Sequence, residues 1–232
     1  MPSRVLIADD HALFRAGIRV ILSSRPDVEV VGEAADGEEA INLCRKTHPD
    51  LVMMDLTMPK VDGIAATRTI KAEFPRTSVL ILTAYADEEL LMEAVKAGAA
   101  GYVIKDAVGP IELLDAVRGI LNGESHVDQE LVMKLVRRLA DETGPRIEPA
   151  AETTTPTESL TEREIEVLRL LPQGKTNREI AAVLHLSLST VKKRLERIIS
   201  KLGVSDRTQA AVRAIELGLV VPEREQRPGE ER

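Results

Sequence analysis

The 232-residue sequence has no tryptophan, two tyrosines and two phenylalanines, so aromatic residues make up only 2%. Its cores must be aliphatic, and it lacks the aromatic platforms on which single-stranded nucleic acid stacks. The lone cysteine, Cys44, excludes an internal disulfide and a thiolate metal cluster and fits a reducing cytoplasm. No apolar run approaches the roughly 18 residues of a membrane span. The opening Met1-Pro2-Ser3-Arg4 leads directly into a strand-like segment, without the apolar stretch of a signal peptide. The expectation is a cytoplasmic protein with no membrane partner.

What is present is ordinary for a soluble chain: 44% hydrophobic and 30% charged residues. The length favours two domains. The formal charge of −7 is unevenly spread. Residues 1–123 carry 13 Lys+Arg against 19 Asp+Glu, whereas residues 158–221 carry 11 against 8. An acidic front and a basic back point to different partners for the two parts.

In residues 1–123, apolar runs of strand length alternate with segments of helical period. The runs are Val5–Ala8, Val28–Val31, Leu51–Met54, Val79–Leu82 and Gly101–Ile104. The helical segments span about Ala12–Ser24, Gly37–Thr47, Gly63–Phe74, Glu88–Ala97 and Pro110–Leu121, with Pro110 suited to a first helical position. Five such pairs predict an α/β doubly wound parallel sheet. The flavodoxin-like order 2-1-3-4-5 is one of the two common choices, and it binds ligands at the carboxyl ends of the strands.

Residues 124–157 read as a linker with a possible helix at Gln129–Ala140, and residues 222–232 as a charged tail. Between them, residues 158–221 predict a small all-α domain. Thr161 and Glu164 form a capping box for a helix running to about Pro172. A short helix follows at Glu179–Leu184. A longer one is expected from a cap at Ser189 to Leu202, ended by Gly203, and a last one at about Arg207–Leu217.

The strand ends carry the chemistry of the first part. Asp9 and Asp10 follow strand one, Asp55 ends strand three, Thr83 ends strand four and Lys105 follows strand five. A parallel sheet brings all five to one edge. Three carboxylates repel one another unless a cation lies among them, and oxygen ligands suit a hard ion such as Mg²⁺. A hydroxyl and an ammonium on the opposite rim suit phosphoryl oxygens. Asp55 is then the candidate nucleophile for an aspartyl phosphate.

These positions, with Asp9-Asp10-His11, Phe14-Arg15-Ala16-Gly17, Met58-Pro59 and Asp62-Gly63, resemble the receiver domain of two-component response regulators of the NarL/FixJ family. The resemblance implies phosphorylation of Asp55 by a sensor histidine kinase. It implies metal ligation by Asp9, Asp10, Asp55 and the Thr57 carbonyl, and phosphoryl contacts from Thr83 and Lys105. It also implies a switch built from Thr83 and Tyr102. One departure is Asp106, where many receivers have proline. His11 reads as a helix-start residue, since no histidine or cysteine lies at ligand spacing from it.

In the longer helix of the second part, Val191, Leu195, Ile198, Ile199 and Leu202 share one face, with Lys192, Lys193, Arg197 and Ser200 opposite. The cationic face is free to enter a DNA major groove. Leu160-Thr161-Glu162-Arg163-Glu164, Asn177-Arg178-Glu179-Ile180-Ala181, Ser189-Thr190-Val191-Lys192, Lys201-Leu202-Gly203-Val204 and Arg207-Thr208-Gln209-Ala210 resemble the LuxR-type helix-turn-helix. The resemblance implies contacts to double-stranded DNA from Thr176, Asn177, Ser189, Thr190, Lys192, Lys193, Arg197 and Lys201. It implies a homodimer, formed on activation through the last helix. Arg194 stands where the family usually has histidine, and Glu196 is acidic on the presumed DNA face.

The leading expectation is a phosphorylation-controlled, non-enzymatic transcription regulator. One alternative is an Mg²⁺-dependent phosphohydrolase working through an aspartyl phosphate, which steady turnover of a phosphomonoester would reveal. Another is a ligand-sensing LuxR-type activator, which would need an apolar pocket in place of the acidic cluster.

Overall fold

The computed structural model describes residues 2–84, 87–122, 160–173, 175–216 and 218–219. The linker with its expected helix and the charged tail lie outside the described residues. In the first part, β1 (Ser3–Ala8), β2 (Val28–Ala34), β3 (Leu51–Asp55), β4 (Ser78–Thr83) and β5 (Gly101–Ile104) alternate with five helices. These are α1 (Ala12–Ser23), α2 (Gly37–Thr47), α3 (Gly63–Glu73), α4 (Glu88–Ala97) and α5 (Pro110–Leu121). The strands pair in parallel in the order β2-β1-β3-β4-β5, the expected flavodoxin-like arrangement.

Successive strand side chains point to opposite faces, and both faces are buried. Val5, Ile7, Met53, Leu80 and Leu82 pack against Ile18 and Leu22 of α1 and Leu113 and Val117 of α5. Leu6, Val52, Met54, Val79 and Ile81 pack on the other side against Cys44 of α2, Ile70 of α3 and Ala94 of α4. Each such aliphatic side chain contributes about 1.5–3 kcal/mol when fully buried, so the alternating pattern dominates the stability of the sheet.

Helix starts are set by short acidic caps. Asp36 Oδ1 accepts from Glu39 N at 2.8 Å, and Asp62 Oδ1 from Ala65 N at 2.8 Å. Asp87 Oδ1 accepts from Glu89 N at 3.0 Å and Leu90 N at 3.2 Å. Pro110 opens α5, as expected. Gly63 answers to close approach: a Cβ there would lie 2.0 Å from the Asp55 carbonyl oxygen. The chain that leaves β3 therefore turns tightly over the end of the strand that carries Asp55.

The second part contains α6 (Glu162–Leu168), α7 (Asn177–Val183), α8 (Leu188–Leu202) and α9 (Arg207–Glu216). Its core is Val167, Leu168, Leu171, Ile180, Val191, Leu195, Ile198, Ala210 and Ala214. The Thr161–Glu164 capping box is present, and Thr176 with Glu179 forms a second one. Three expectations are corrected here. Helix α6 ends at Leu168 rather than near Pro172: Leu170 N and Leu171 N bond three residues back, to the Val167 and Leu168 carbonyls, so the last stretch before the proline tightens into turns. Helix α7 begins at Asn177, two residues early, because Thr176 is its cap. Helix α8 is capped by Ser187, whose hydroxyl accepts from Thr190 N at 3.1 Å, rather than by Ser189.

The start of α9 rests on the first part. Gln209 Nε2 donates to the carbonyls of Val95 (3.3 Å) and Ala99 (3.2 Å), and Thr208 Oγ1 to that of Ala100 (3.4 Å). Met92, Val95 and Val212 form a small apolar cluster beside these bonds. Lys71 Nζ, which donates to the carbonyls of Pro75 and Thr77 at 2.9 Å each, also reaches Ser205 Oγ. Burial pulls the Lys71 pKa down to about 8, although Asp206 favours its charge.

Candidate functional site

The strand ends bring Asp9, Asp55, Thr83 and Lys105 together, all but Lys105 buried to within a few per cent. Asp9 is fixed by its backbone: its amide donates to the Ala34 carbonyl at 3.1 Å, and its carbonyl accepts from Arg15 Nη1 at 2.5 Å. Its Oδ1 accepts from His11 N at 2.9 Å. Its Oδ2 faces Lys105 Nζ at 2.6 Å, out of hydrogen-bond alignment. Lys105 Nζ also lies 2.8 Å from Asp55 Oδ2. The ammonium thus bridges two buried carboxylates, and the Phe14 ring centroid lies 4.9 Å from it.

Electrostatics follow from this crowding. Burial raises the Asp55 pKa; Lys105 opposes the rise and Asp9 adds to it. Burial works against the Lys105 charge, but the contacts with Asp55 and Asp9 outweigh it and raise its pKa. Asp10 is more exposed, and its Oδ1 lies 2.7 Å from His11 Nδ1. Ligand atoms of Asp9, Asp10, His11 and Asp55 all lie within 4.8 Å of one another. The three carboxylates, one with a buried oxygen lacking an aligned donor, fit a hard divalent cation.

On the opposite rim, the Thr83 carbonyl accepts from Lys105 N at 2.8 Å, which ties the ends of β4 and β5 together. Tyr102 is half-buried against the core beneath α2, α3 and α4. Thr57 N lies 3.4 Å from Asp55 Oδ1. Beside Lys105, a cleft of about 580 Å³ opens between α1 and the β5–α5 loop, lined by Leu13, Phe14, Ile18, Val108 and Leu113.

Sequence reasoning missed three supports: the ring of Phe14 under Lys105, the guanidinium of Arg15 on Asp9, and the pairing of His11 with Asp10. The signal was available, since all three occupy the cap and first turn of the helix that follows the acidic pair.

In the second part, Ser189, Lys193 and Arg197 are exposed, while Thr190 and Lys192 are half-buried. Thr176 is exposed, with its amide and hydroxyl turned to Glu179. Two other candidate DNA contacts have partners within the domain. Asn177 is buried, its Oδ1 accepting from Arg207 Nη1 at 2.9 Å. Lys201 turns inward to Glu164 Oε2 at 2.9 Å. Burial of Glu164 works against its charge, but the Thr161 amide and Lys201 hold its carboxyl below the ordinary value.

An acidic strand-edge site on a 2-1-3-4-5 sheet, followed by a helical domain with an exposed basic helix, defines a class. Residues 5–118 match the response regulator receiver domain, and residues 158–214 match the bacterial regulatory proteins of the luxR family. The chain belongs to the response regulators that carry a LuxR-type DNA-binding domain, and it is a transcription regulator of that family.

It is 40% identical over 211 residues to the transcriptional regulatory protein LiaR of Bacillus subtilis, covering 91% of this chain and 96% of the relative. It is 40% identical over 220 residues to the response regulator protein VraR of Staphylococcus aureus, covering 95% and 100%. Among solved structures, the RcsB response regulator of Salmonella typhimurium is similar with a TM-score of 0.53 and 28% identity, over 90% of this chain and 98% of that one. A LuxR-family response regulator from Aurantimonas aligns with a TM-score of 0.54 and 38% identity, over 60% and 98%. These likenesses support the regulator reading over the phosphohydrolase. The receiver match in the first part removes the ligand-sensing activator.

Proposed function

We propose that Asp55 accepts a phosphoryl group from a sensor histidine kinase and that this modification controls the pairing of two chains on double-stranded DNA. The observation that carries the reading is the meeting of Asp55 with Lys105 at 2.8 Å beside the buried Asp9. An Asp55 carboxylate oxygen attacks phosphorus in the donor's phosphohistidine. The P–N bond breaks, its electron pair stays on the imidazole nitrogen, and an aspartyl phosphate forms. Lys105 then follows the new charge, and Thr83 donates its hydroxyl to a phosphoryl oxygen. Asp9, Asp10, Asp55 and the Thr57 carbonyl would hold Mg²⁺, which when bound neutralises phosphoryl charge. The exposed Leu13 and the neighbouring cleft give the kinase an apolar surface beside Lys105. The product accumulates stoichiometrically; no multiple-turnover enzyme is implied.

Residues 1–123 and 158–221 act as two domains in the cytoplasm, joined by the linker at 124–157. Exposed Ser189, Lys193 and Arg197, with Thr190, Lys192 and Thr176, contact DNA phosphates and base edges. The family's dimerising helix corresponds to α9, whose start is bonded here to the ends of α4 and β5. Ala100 stands two residues before Tyr102, so inward movement of Thr83 and Tyr102 would disturb the surface that holds α9. Release frees α9 to pair, placing two reading helices on half-sites about 34–36 Å apart.

The test is phosphorylation by a small phosphodonor with Mg²⁺, followed by selection of bound DNA. One acyl phosphate per chain, lost in Asp55→Asn, is expected, with tighter binding to the selected duplex. Normal labelling of Asp55→Asn refutes the acceptor assignment. Equal DNA affinity with and without phosphate refutes the control.

A further inference from the structure

Arg15 occupies the first turn of α1, where the helix dipole disfavours a cation and where no acidic side chain stands to offset it. Its side chain is only 17% exposed, and its buried Nε has no aligned acceptor. Such a group is costly unless it serves something. Its Nη1 donates to the Asp9 carbonyl at 2.5 Å. That carbonyl belongs to the peptide linking Asp9 and Asp10, so holding it fixes the plane from which the Asp10 side chain departs.

The charge is balanced from the neighbouring strand. Glu33 of β2 places Oε2 at 3.7 Å from Arg15 Nε, and its Oε1 lies 3.3 Å from Arg19 Nη1. The next residue on that strand, Ala34, accepts the Asp9 amide at 3.1 Å. Asp9 is therefore gripped on both sides of its α-carbon: by β2 through its amide and by Arg15 through its carbonyl. Glu33 keeps the guanidinium from acting as a rival cation beside the acidic cluster.

We infer that Arg15, balanced by Glu33, is a positioning residue of the cation site, holding the Asp9–Asp10 peptide so that both carboxylates face the ion. The inference rests on the reading that this cluster binds a divalent cation. It makes Arg15 a determinant of metal affinity without contact with metal or phosphoryl group. Outer groups that orient ligands in this way typically change metal affinity by about 10–100-fold when removed.

The experiment titrates the full, unphosphorylated chain with Mg²⁺ by calorimetry and with Mn²⁺ by electron paramagnetic resonance of the free ion. Arg15→Met should bind both ions about 10-fold or more weakly, and Arg15→Lys, which keeps a donor for the Asp9 carbonyl, should recover most of that loss. At saturating Mg²⁺, Arg15→Met should label at the wild-type maximal rate, so the metal dependence shifts while the maximum stays. A lower melting temperature with unchanged metal affinity, or equal affinities of the Lys and Met variants, overturns the proposal. If Arg15→Met does not fold, Glu33→Gln decides. It leaves Arg15 in place without its counter-charge, so metal binding should weaken at low salt and recover at high salt; unchanged binding overturns the proposal. Absence of binding by the wild type would defeat the cation-site reading itself, whereas tight wild-type binding matched by Arg15→Met defeats only the role of Arg15.

Discussion

Asn177 Oδ1 accepts from Arg207 Nη1 at 2.9 Å while Arg207 Nη2 donates to the Lys175 carbonyl at 2.6 Å, so one buried guanidinium joins the start of α7 to the start of α9. Asn177→Ala would strip an acceptor from a buried charge and is expected to cost about 1.5–3 kcal/mol of stability. Chemical denaturation followed by helical circular dichroism measures this. DNA affinity should fall only as far as the folded fraction falls.

Lys192 and Lys193 are expected to behave differently. Replacing both by alanine should weaken binding to duplex DNA and reduce the salt slope by about 0.9 for each phosphate that is no longer neutralised. Lys201→Ala should instead destabilise the domain, since Glu164 loses its ion pair at 2.9 Å, and leave the salt slope unchanged. Anisotropy titrations over a salt series separate the two cases.

Thr83→Ala tests the link between the sites. The variant should still accept phosphate on Asp55 but lose much of the gain in dimer population and DNA affinity. Sedimentation of mass-verified phosphoprotein, paired with a DNA titration, gives both quantities. Full retention of both gains would place the switch elsewhere.

Lys71 is expected to make the contact between the domains sensitive to pH. Docked, its pKa is brought down to about 8 by burial, against an ordinary 10.5. If undocking rehydrates the ammonium, the undocked form binds more protons between those values. Docking should then strengthen as pH rises through that window and weaken as pH falls through 8, by at most about 1.4 kcal/mol per unit. Small-angle scattering from about pH 7 to about pH 9.5 should show compaction, and Lys71→Met should abolish the dependence.

The sheet and its site were legible because the signal is local. Each strand is a short apolar run, and Asp9, Asp55, Thr83 and Lys105 take their places from the strand ends alone. What was not legible depends on distant partners. Lys201 follows the basic face of α8 by spacing, yet Glu164 lies 37 positions away in the sequence and turns it inward. Asn177 is placed among the DNA contacts by resemblance, and only the fold brings Arg207, 30 positions away, onto its Oδ1. The misplaced cap at Ser189 has a different origin. Ser187 and Ser189 are both able to cap, and only the bond from Thr190 N selects the earlier one.

Three hydrogen bonds from Gln209 and Thr208 to the first domain end on main-chain carbonyls: those of Val95, Ala99 and Ala100. Main-chain acceptors survive substitution of the side chains around them. The receiver surface can therefore drift in sequence while still offering these three oxygens, and only the part of the contact made by Lys71, Met92 and Val95 depends on receiver side chains. In a chimera, a LuxR-type domain with glutamine and threonine at these positions would bring its restraint along when grafted onto a foreign receiver of the same backbone. The reverse graft, a domain lacking them on this receiver, would be held only by what Lys71, Met92 and Val95 supply.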